Sequence, residues 1–346
     1  MTERARRRWI ALGLFAAIAA GLFVRLGAVA MDRASEERCF AVVGEMVRSG
    51  DWLVPRLDGA PRLQKPPLYY WAGAAAAILS GGPILLTLRA VAAVAALGLA
   101  LAVFAVGRSL GDFAMGASSA GVLAGTALFY VRGRIGDAEM LLALLVFLAL
   151  AVFERLWRTR DRRLLPVLAV LVGLGFLAKA TAALLCIAVP IVLWLALHRS
   201  LHLALRPAVL GWGLVAAAVG LSWYAAILLR VPNAVELFRS YLVGPLGAQA
   251  GTDATHLREW YYYWLRFPFI TAPAGLLLPW IAWEAWKRRA FRGDPPLQFF
   301  ALALVSLLVA WSLVPSKQMH YLLPLVPLQA LVAGRLIAER FFAPRA

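Results

Sequence analysis

Apolar runs of membrane-spanning length recur along this 346-residue chain, from "WIALGLFAAIAAGLF" near its start to "ALALVSLLVAW" near its end. A helix needs about 20 apolar residues to cross the bilayer core. Within hydrocarbon, only helices and closed barrels satisfy every backbone polar group. The sequence is 62% hydrophobic and 15% charged, far from the composition of soluble domains. The expected class is an all-α polytopic membrane protein. The runs mark ten spans: 9–30, 84–107, 112–131, 138–157, 164–178, 180–197, 208–229, 267–286, 297–314 and 320–338. The fifth and sixth meet at "AKATA" and predict a tight hairpin. The N-terminal "RARRRW" followed by an apolar run imitates a signal peptide. The run from Trp9 to Ala30 is longer than a signal core of roughly 7–15 residues, so an uncleaved first span is expected.

Charge sets the orientation. The segment 67–81, "PLYYWAGAAAAILSG", is apolar but short for a span, as re-entrant and interfacial segments are. If it does not cross, one face holds Arg4 and Arg6 to Arg8, Arg108, "ERLWRTRDRR", "HRSLHLALR", "KRRAFR" and the tail with Arg340 and Arg345. Every loop then obeys the positive-inside rule. This predicts cytoplasmic termini and accounts for the net charge of +17 without nucleic acid. The other, extracytoplasmic face receives two long loops, 31–83 and 230–266, and short turns at "VRGRIGD", "AKATA" and "PSKQMHY". Long loops in a compact bundle are usually functional. In the first of them Cys39, Val42, Val43, Met46 and Val47 recur at helical spacing opposite Glu37, Arg38, Ala41, Glu45 and Arg48, which predicts an amphipathic helix in the interface plane. Tyr69, Tyr70 and Trp71 are expected to anchor at headgroup depth. Cys39 and Cys186 lie in unlike settings, so no disulfide is expected.

The ionisable residues of the apolar regions gather at the same lip. Arg25 and Arg89 lie near outer span ends, Lys179 in the hairpin, Lys317 beyond the ninth span and Asp137 before the fourth. A transporter concentrates polar groups at the midplane; an outer-lip site suits a lipid-borne substrate with an anionic headgroup. Lys65, Lys179 and Lys317 could each counter a phosphate. Each also reads as a lysine snorkelling to the headgroups, and Asp137 as a helix N-cap.

Five segments carry a family resemblance. "GEMVRSGDWLVPRLDGAPRLQKPPLYYW", "GRIGDAEMLLALLVF", "GLGFLAKATAALLCIAVP", "THLREWYYYWLRFPFITAPAGLLLPW" and "PSKQMHYLLPLVP" resemble, in order, the outer loops of the lipid A aminoarabinose transferases and related protein O-mannosyltransferase-like enzymes. The resemblance implies a GT-C-like bundle of about ten transmembrane helices with extracytoplasmic interfacial helices, read here as a single domain with no soluble C-terminal domain. It implies sugar transfer from a polyprenyl-phosphate donor to a lipid, glycan or protein acceptor in the cell envelope. Lys65, Asp137, Lys179, His256, Lys317 and Tyr321 match the family pattern. Ser35 stands where the family has the aspartate of an Asp-Glu pair, with Glu36 kept. Gln64, Gly244 and Ala248 replace a glutamate, a glutamate and an arginine. The implied carboxylate base is Asp137 or Glu36 and the main phosphate contact Lys65, with Lys179, His256, Lys317, Tyr321 and Arg89 as further substrate or phosphate contacts. No diagnostic metal spacing is present; Glu36, Asp137 and His256 are the candidate ligands for a divalent ion. The Ser35, Gln64, Gly244 and Ala248 departures keep a second reading open, a relative that binds the lipid carrier or serves as a subunit without catalysis.

Overall fold

The computed structural model describes residues 2–342 except 29, 32–33, 244–256 and 288–292, with the backbone alone at 240–243 and 285. His256, Gly244 and Ala248 lie outside the described residues. Helix α1 is Glu3–Phe23, α2 Ala34–Ser49, α3 Leu68–Ser80, α4 Ile84–Leu110, α5 Phe113–Ala124, α6 Ala127–Gly133 and α7 Glu139–Thr159. Then follow α8 Leu164–Leu197, α9 Pro207–Arg230, α10 Ala234–Val243, α11 Tyr262–Ile270, α12 Leu278–Lys287, α13 Pro295–Leu313 and α14 Val326–Phe341. Among the described residues, six helical segments are long and apolar enough to cross a membrane: α4, α7, α8, α9, α13 and Met319–Phe341.

Helix α8 is two antiparallel arms. Its backbone leaves helical geometry at Lys179 (φ −158°) and Ala180 (φ 31°). A Cβ placed on Gly175 would lie 3.5 Å from Ile187 Cδ1, whereas twelve residues of straight helix span about 18 Å. The chain therefore reverses at "AKATA", as its sequence predicts. At one end Lys179 meets Glu139, the first residue of α7. At the other, Trp194 and His198 meet Trp157 near the last turn of α7. Both arms thus cover the depth of α7.

The segment before α4 does not run alongside it. Tyr69 donates from its hydroxyl to the Leu88 carbonyl at 2.8 Å, and a Cβ on Gly73, one turn later, would strike the Leu88 side chain. A helix antiparallel to α4 would meet successive turns; α3 instead crosses its first turns. The amphipathic face of α2 is as expected, with Cys39, Val42, Val43 and Met46 buried and Glu37 and Arg38 exposed. That face packs on α3 and α4, against Tyr69, Tyr70, Ala74 and Leu88. The aromatic anchor is therefore corrected. Tyr69 and Tyr70 are 1% and 2% exposed, and Trp71 donates from its indole to the Trp52 carbonyl, so these rings build the insert's own core. Between α2 and α3, Asp58 and Gly59, both with positive φ, turn a two-stranded hairpin, β1 (Arg56–Leu57) and β2 (Ala60–Pro61). Asp-Gly is the sequence such a turn favours.

Three expected spans end early or break. Helix α1 stops at Phe23, not residue 30, because Arg134 takes its terminal carbonyls: the guanidinium donates to Gly21, Leu22, Val24 and Arg25. A basic group on these orphan acceptors is a C-terminal cap. The run 112–131 divides into α5 and α6, and 267–286 into α11, a 3-10 turn at Ala274–Leu277 and α12. The two breaks face each other. Ala127 N–H donates to the Ala272 carbonyl at 2.8 Å and Ala274 N–H to the Gly125 carbonyl at 3.3 Å. Freed backbone groups inside a membrane bundle need such partners.

The core joins α4, α7, α13, α14 and the second arm of α8. Small residues bring three helices close. A Cβ on Gly116 of α5 would lie 2.7 Å from the Phe104 carbonyl oxygen of α4, and one on Gly334 of α14 would lie 2.6 Å from the Ser119 backbone of α5. Backbones approach this closely in membranes where small residues face each other.

The two cysteines are free and buried. Burial pushes the Cys39 thiol up to about 12. A thiol reacts through its thiolate, so Cys39 should resist maleimide in the folded protein at pH 7–8 and react after unfolding. Rapid labelling of the folded protein at Cys39, read by peptide mass spectrometry, would contradict its packing beneath α3.

Candidate active site at one end of the bundle

The acidic and basic side chains of the outer loops converge. Glu36 enters from the first turn of α2 and is 2% exposed. Arg89, one turn into α4, grips it with two parallel bonds of 2.8 Å, Nε to Oε1 and Nη2 to Oε2. The same Oε1 accepts the Gly136 N–H at 2.7 Å, and Arg89 Nη1 donates to the Leu26 carbonyl at 3.1 Å. One ion pair therefore holds together the chain after α1, the start of α2, the start of α4 and the loop before α7. Gly136 allows it, since a Cβ there would lie 2.9 Å from Leu88 Cβ and 3.2 Å from Glu36 Oε1.

Asp137, next along that loop, is 1% exposed. Its Oδ2 lies 3.1 Å from Arg132 Nη2 of α6 and accepts the Ser35 hydroxyl at 3.2 Å. Its Oδ1 accepts the Glu139 N–H at 3.1 Å. Burial pushes the Asp137 carboxyl above the usual carboxylate range; Arg132 pulls it back and Glu139 pushes it further up. Ser35 is thus a direct partner of Asp137.

Glu139, two residues on, was not singled out by sequence reasoning. Its Oε1 lies 2.5 Å from Lys179 Nζ at the apex of the α8 turn and 3.5 Å from His320 Nε2. Lys179 also stands 4.8 Å from the centre of the Tyr321 ring. The available signal was "GDAEM", two acids one residue apart at the mouth of an apolar run, and a histidine beside the tyrosine in "KQMHY". Arg132 lies in the expected outer turn "VRGRIGD", where nothing local set it apart from Arg134.

Lys65 completes the cluster from the loop before α3. Burial pulls its ammonium down, but Cys39, Tyr70, Glu139 and Asp137 together outweigh that and its pKa moves up. Among the described residues no carboxylate lies within ion-pair distance of it, whereas Arg89, Arg132 and Lys179 each have one. Three carboxylates (Glu36, Asp137, Glu139) face four cations, and the surplus charge sits on Lys65. Arg62, whose positive charge acts on Tyr70 as that of Lys65 does, adds a further cation beside it.

Lys317 stands apart from the cluster's carboxylates. Its ammonium donates to the carbonyls of Arg258 and Val314 at 2.9 and 2.7 Å, and burial pulls its pKa down. With the bridge between Leu257 and Ser316, it pins the chain just after His256 to the end of α13. Among the described residues no group of three His, Cys, Asp or Glu side chains could hold a metal ion.

The distance between the two ends of the molecule follows from α4. Arg89 and Arg108 are 19 residues apart on one helix, about 28 Å, close to the thickness of a bilayer core. The described basic loops collect at the Arg108 end, after α7 and between the second arm of α8 and α9.

The sequence profile of the family described as dolichyl-phosphate-mannose-protein mannosyltransferase matches residues 64–224, the stretch that carries Lys65, Asp137, Glu139 and Lys179. An undecaprenyl phosphate-alpha-4-amino-4-deoxy-L-arabinose arabinosyl transferase of Pseudomonas savastanoi is 29% identical over 94% of this chain and 60% of its own length. The enzyme of the same description from Pseudomonas paraeruginosa is 30% identical over 88% of this chain and 55% of its own. The structure superposes on ArnT from Cupriavidus metallidurans bound to undecaprenyl phosphate with a TM-score of 0.81, at 21% identity, over 94% of this chain and 60% of that one. The chain has the GT-C fold of these aminoarabinose transferases and is similar to them in sequence over most of its own length. It spans somewhat over half the length of these curated relatives. The archaeal oligosaccharyltransferase AglB of Archaeoglobus fulgidus shares the fold more distantly, with a TM-score of 0.55 at 13% identity over 97% of this chain and 51% of that one. With six helical segments of spanning length among the described residues and these relatives, the chain is a bacterial inner-membrane protein.

Proposed function

We propose that this GT-C chain transfers a sugar from a polyprenyl-phosphate donor to an envelope acceptor. The observation that carries the reading is the surplus positive charge on Lys65 beside a buried carboxylate, Asp137. Transfer breaks the bond between the anomeric carbon and the phosphate oxygen and forms one to the acceptor oxygen. The acceptor proton passes to a base, and the released polyprenyl phosphate needs a fixed cation. Asp137 suits the base: its raised pKa brings it nearer neutrality, where general bases work best. Lys65 suits the phosphate, as a protonated lysine without a competing carboxylate.

The remaining candidates divide by their partners. Glu36 and Arg89 are committed to each other, and we assign them to holding the outer loops in register. Lys179 is committed to Glu139 and reaches the donor only by sharing its charge; Tyr321 and His320 wall the same side. Lys317 positions the segment after His256. The site is assigned to the extracytoplasmic face, with cytoplasmic termini, because the basic loops lie at the opposite end.

The test is a transfer assay with purified full-length protein and polyprenyl-phosphate sugars in detergent, with mass-spectrometric detection of product. Lys65→Met should lower kcat/KM about 10²–10³-fold, the usual loss for one fixed donor to developing charge. A variant within threefold of the natural chain would remove Lys65 from the phosphate site. A second reading, a lipid-carrier-binding relative without catalysis, is favoured by the departures at Ser35, Gln64, Gly244 and Ala248. It predicts retention of polyprenyl phosphate with no product.

A further inference from the structure

The end of the bundle away from Asp137 carries a cavity of about 650 Å³ between the first turns of α1, the last turns of α4 and the start of α5. Four arginines line it, Arg4, Arg7, Arg8 and Arg108, together with Phe104 and Phe113. Two carboxylates are present and both are occupied. Glu3 pairs with Arg7, and Asp112 accepts the Met115 N–H at 2.9 Å as the N-cap of α5. Arg4, Arg8 and Arg108 have no carboxylate within ion-pair distance among the described residues. Four cations against two anions leave a surplus of two positive charges around a space large enough for a small ligand.

The walls are built rather than incidental. Phe104 meets Phe15 and Phe113 edge to face at 5.5 and 5.8 Å, and the Arg7 guanidinium stands 5.9 Å from the Phe113 ring. The aromatic packing holds α1, α4 and α5 apart at a fixed spacing with the arginines at the rim. The positive-inside rule accounts for basic residues at this end, but it requires no cavity.

The surroundings select the class of anion. Arg4, Arg8 and Leu12 fall on one stripe of α1, each a turn beyond the last. Leu12 is exposed, as is Trp9, at 64%. A ligand with its phosphate on Arg4, Arg8 and Arg108 would have an open apolar helix face directly below. Basic pockets of this kind between membrane helices bind anionic lipid headgroups, and tryptophan favours headgroup depth.

We infer that this cavity is a binding site for the phosphodiester headgroup of an anionic glycerophospholipid, whose acyl chains run along the exposed face of α1. The site lies a bilayer's thickness from the Asp137 cluster and is independent of the sugar-transfer reading.

The experiment uses the delipidated full chain in detergent, with phosphatidylglycerol, phosphatidylethanolamine of the same acyl chains, or inorganic phosphate added at equal concentration. Native mass spectrometry reads retention, and the thermal unfolding midpoint reads stabilisation. Phosphatidylglycerol alone should be retained and raise the midpoint. Arg4→Gln with Arg8→Gln should weaken its retention at least tenfold, and Arg108→Gln, on a different helix, should weaken it independently. Arg162→Gln with Arg163→Gln, in the loop after α7, should leave it unchanged. Equal retention of phosphatidylethanolamine, or equal stabilisation by inorganic phosphate, would overturn the assignment. So would retention of phosphatidylglycerol by both pocket variants, or an equal loss in the loop variant.

Discussion

Replacing Asp137 with asparagine is expected to lower sugar transfer by about 10²–10⁴-fold, the usual loss of a general base. Asparagine keeps the shape: its oxygen can still accept the Glu139 N–H, and its amide nitrogen can donate to the Ser35 hydroxyl oxygen, so the defect should appear in kcat. The pH profile separates a base from a structural acid. Burial and Glu139 raise the Asp137 carboxyl, so the rate should climb with pH along a limb displaced above the ordinary carboxylate range. The asparagine variant should be flat across that limb. The same shift works on stability with a definite sign. A carboxyl raised on folding contributes stability that is present below its unfolded pKa and lost as pH rises through its folded pKa. The asparagine variant should lack that dependence. Ser35→Asp adds a third arm. The Ser35 hydroxyl lies 3.2 Å from Asp137 Oδ2, so a carboxylate there would crowd Asp137 and share its proton, as paired carboxylates do. The limb should move further up in pH. A natural chain with no transfer, and activity gained with Ser35→Asp, would establish the catalytically degenerate reading instead.

Arg89→Met should destabilise the protein by about 3–5 kcal/mol, the scale of a buried ion pair deprived of one partner. Glu36 would be left charged and unmatched at 2% exposure, still holding only the Gly136 N–H. Glu36→Leu should cost a comparable amount by stranding Arg89. The double variant should be more stable than either single one, because neither charge then remains buried alone. Unfolding in detergent measures all three. If Arg89→Met shifts stability by less than about 1 kcal/mol, the pair is a surface contact and cannot set the position of Asp137. Transfer by the double variant is equally informative. A loss of activity with stability restored would mean that the register of the outer loops, and through it the Asp137 carboxylate, depends on this ion pair.

Much of the topology was legible in the chain. Spans such as 84–107 and 208–229 are long, continuous and apolar, and the hydrocarbon thickness sets their length whatever they pack against. The reversal at "AKATA" was readable because the whole apolar stretch 164–197 is too long for one crossing and its lysine falls at the middle. Breaks inside 112–131 and 267–286 were not readable. Their apolar composition satisfies the membrane whether or not the helix is continuous. The hydrogen bonds that permit the breaks join residues 125–127 to 272–274, and no local pattern reports such a pairing.

The candidate site divides in the same way. Lys65, Asp137 and Lys179 could be nominated from sequence because charge next to hydrocarbon is costly and therefore conspicuous. Their roles could not be assigned, since a role depends on the partner. Glu36 and Arg89, alike in sequence to free catalytic groups, neutralise each other across 53 residues. Glu139 carries no local signal that sets it apart in sequence; the fold brings Lys179 and His320 to it. The chain alone determined that it spans a membrane repeatedly and gathers its costly charges at one lip, because transfer free energy is a property of each residue. Only the tertiary structure decided which charges cancel and left Lys65 with the surplus, because ion pairing depends on distances between residues far apart in the chain.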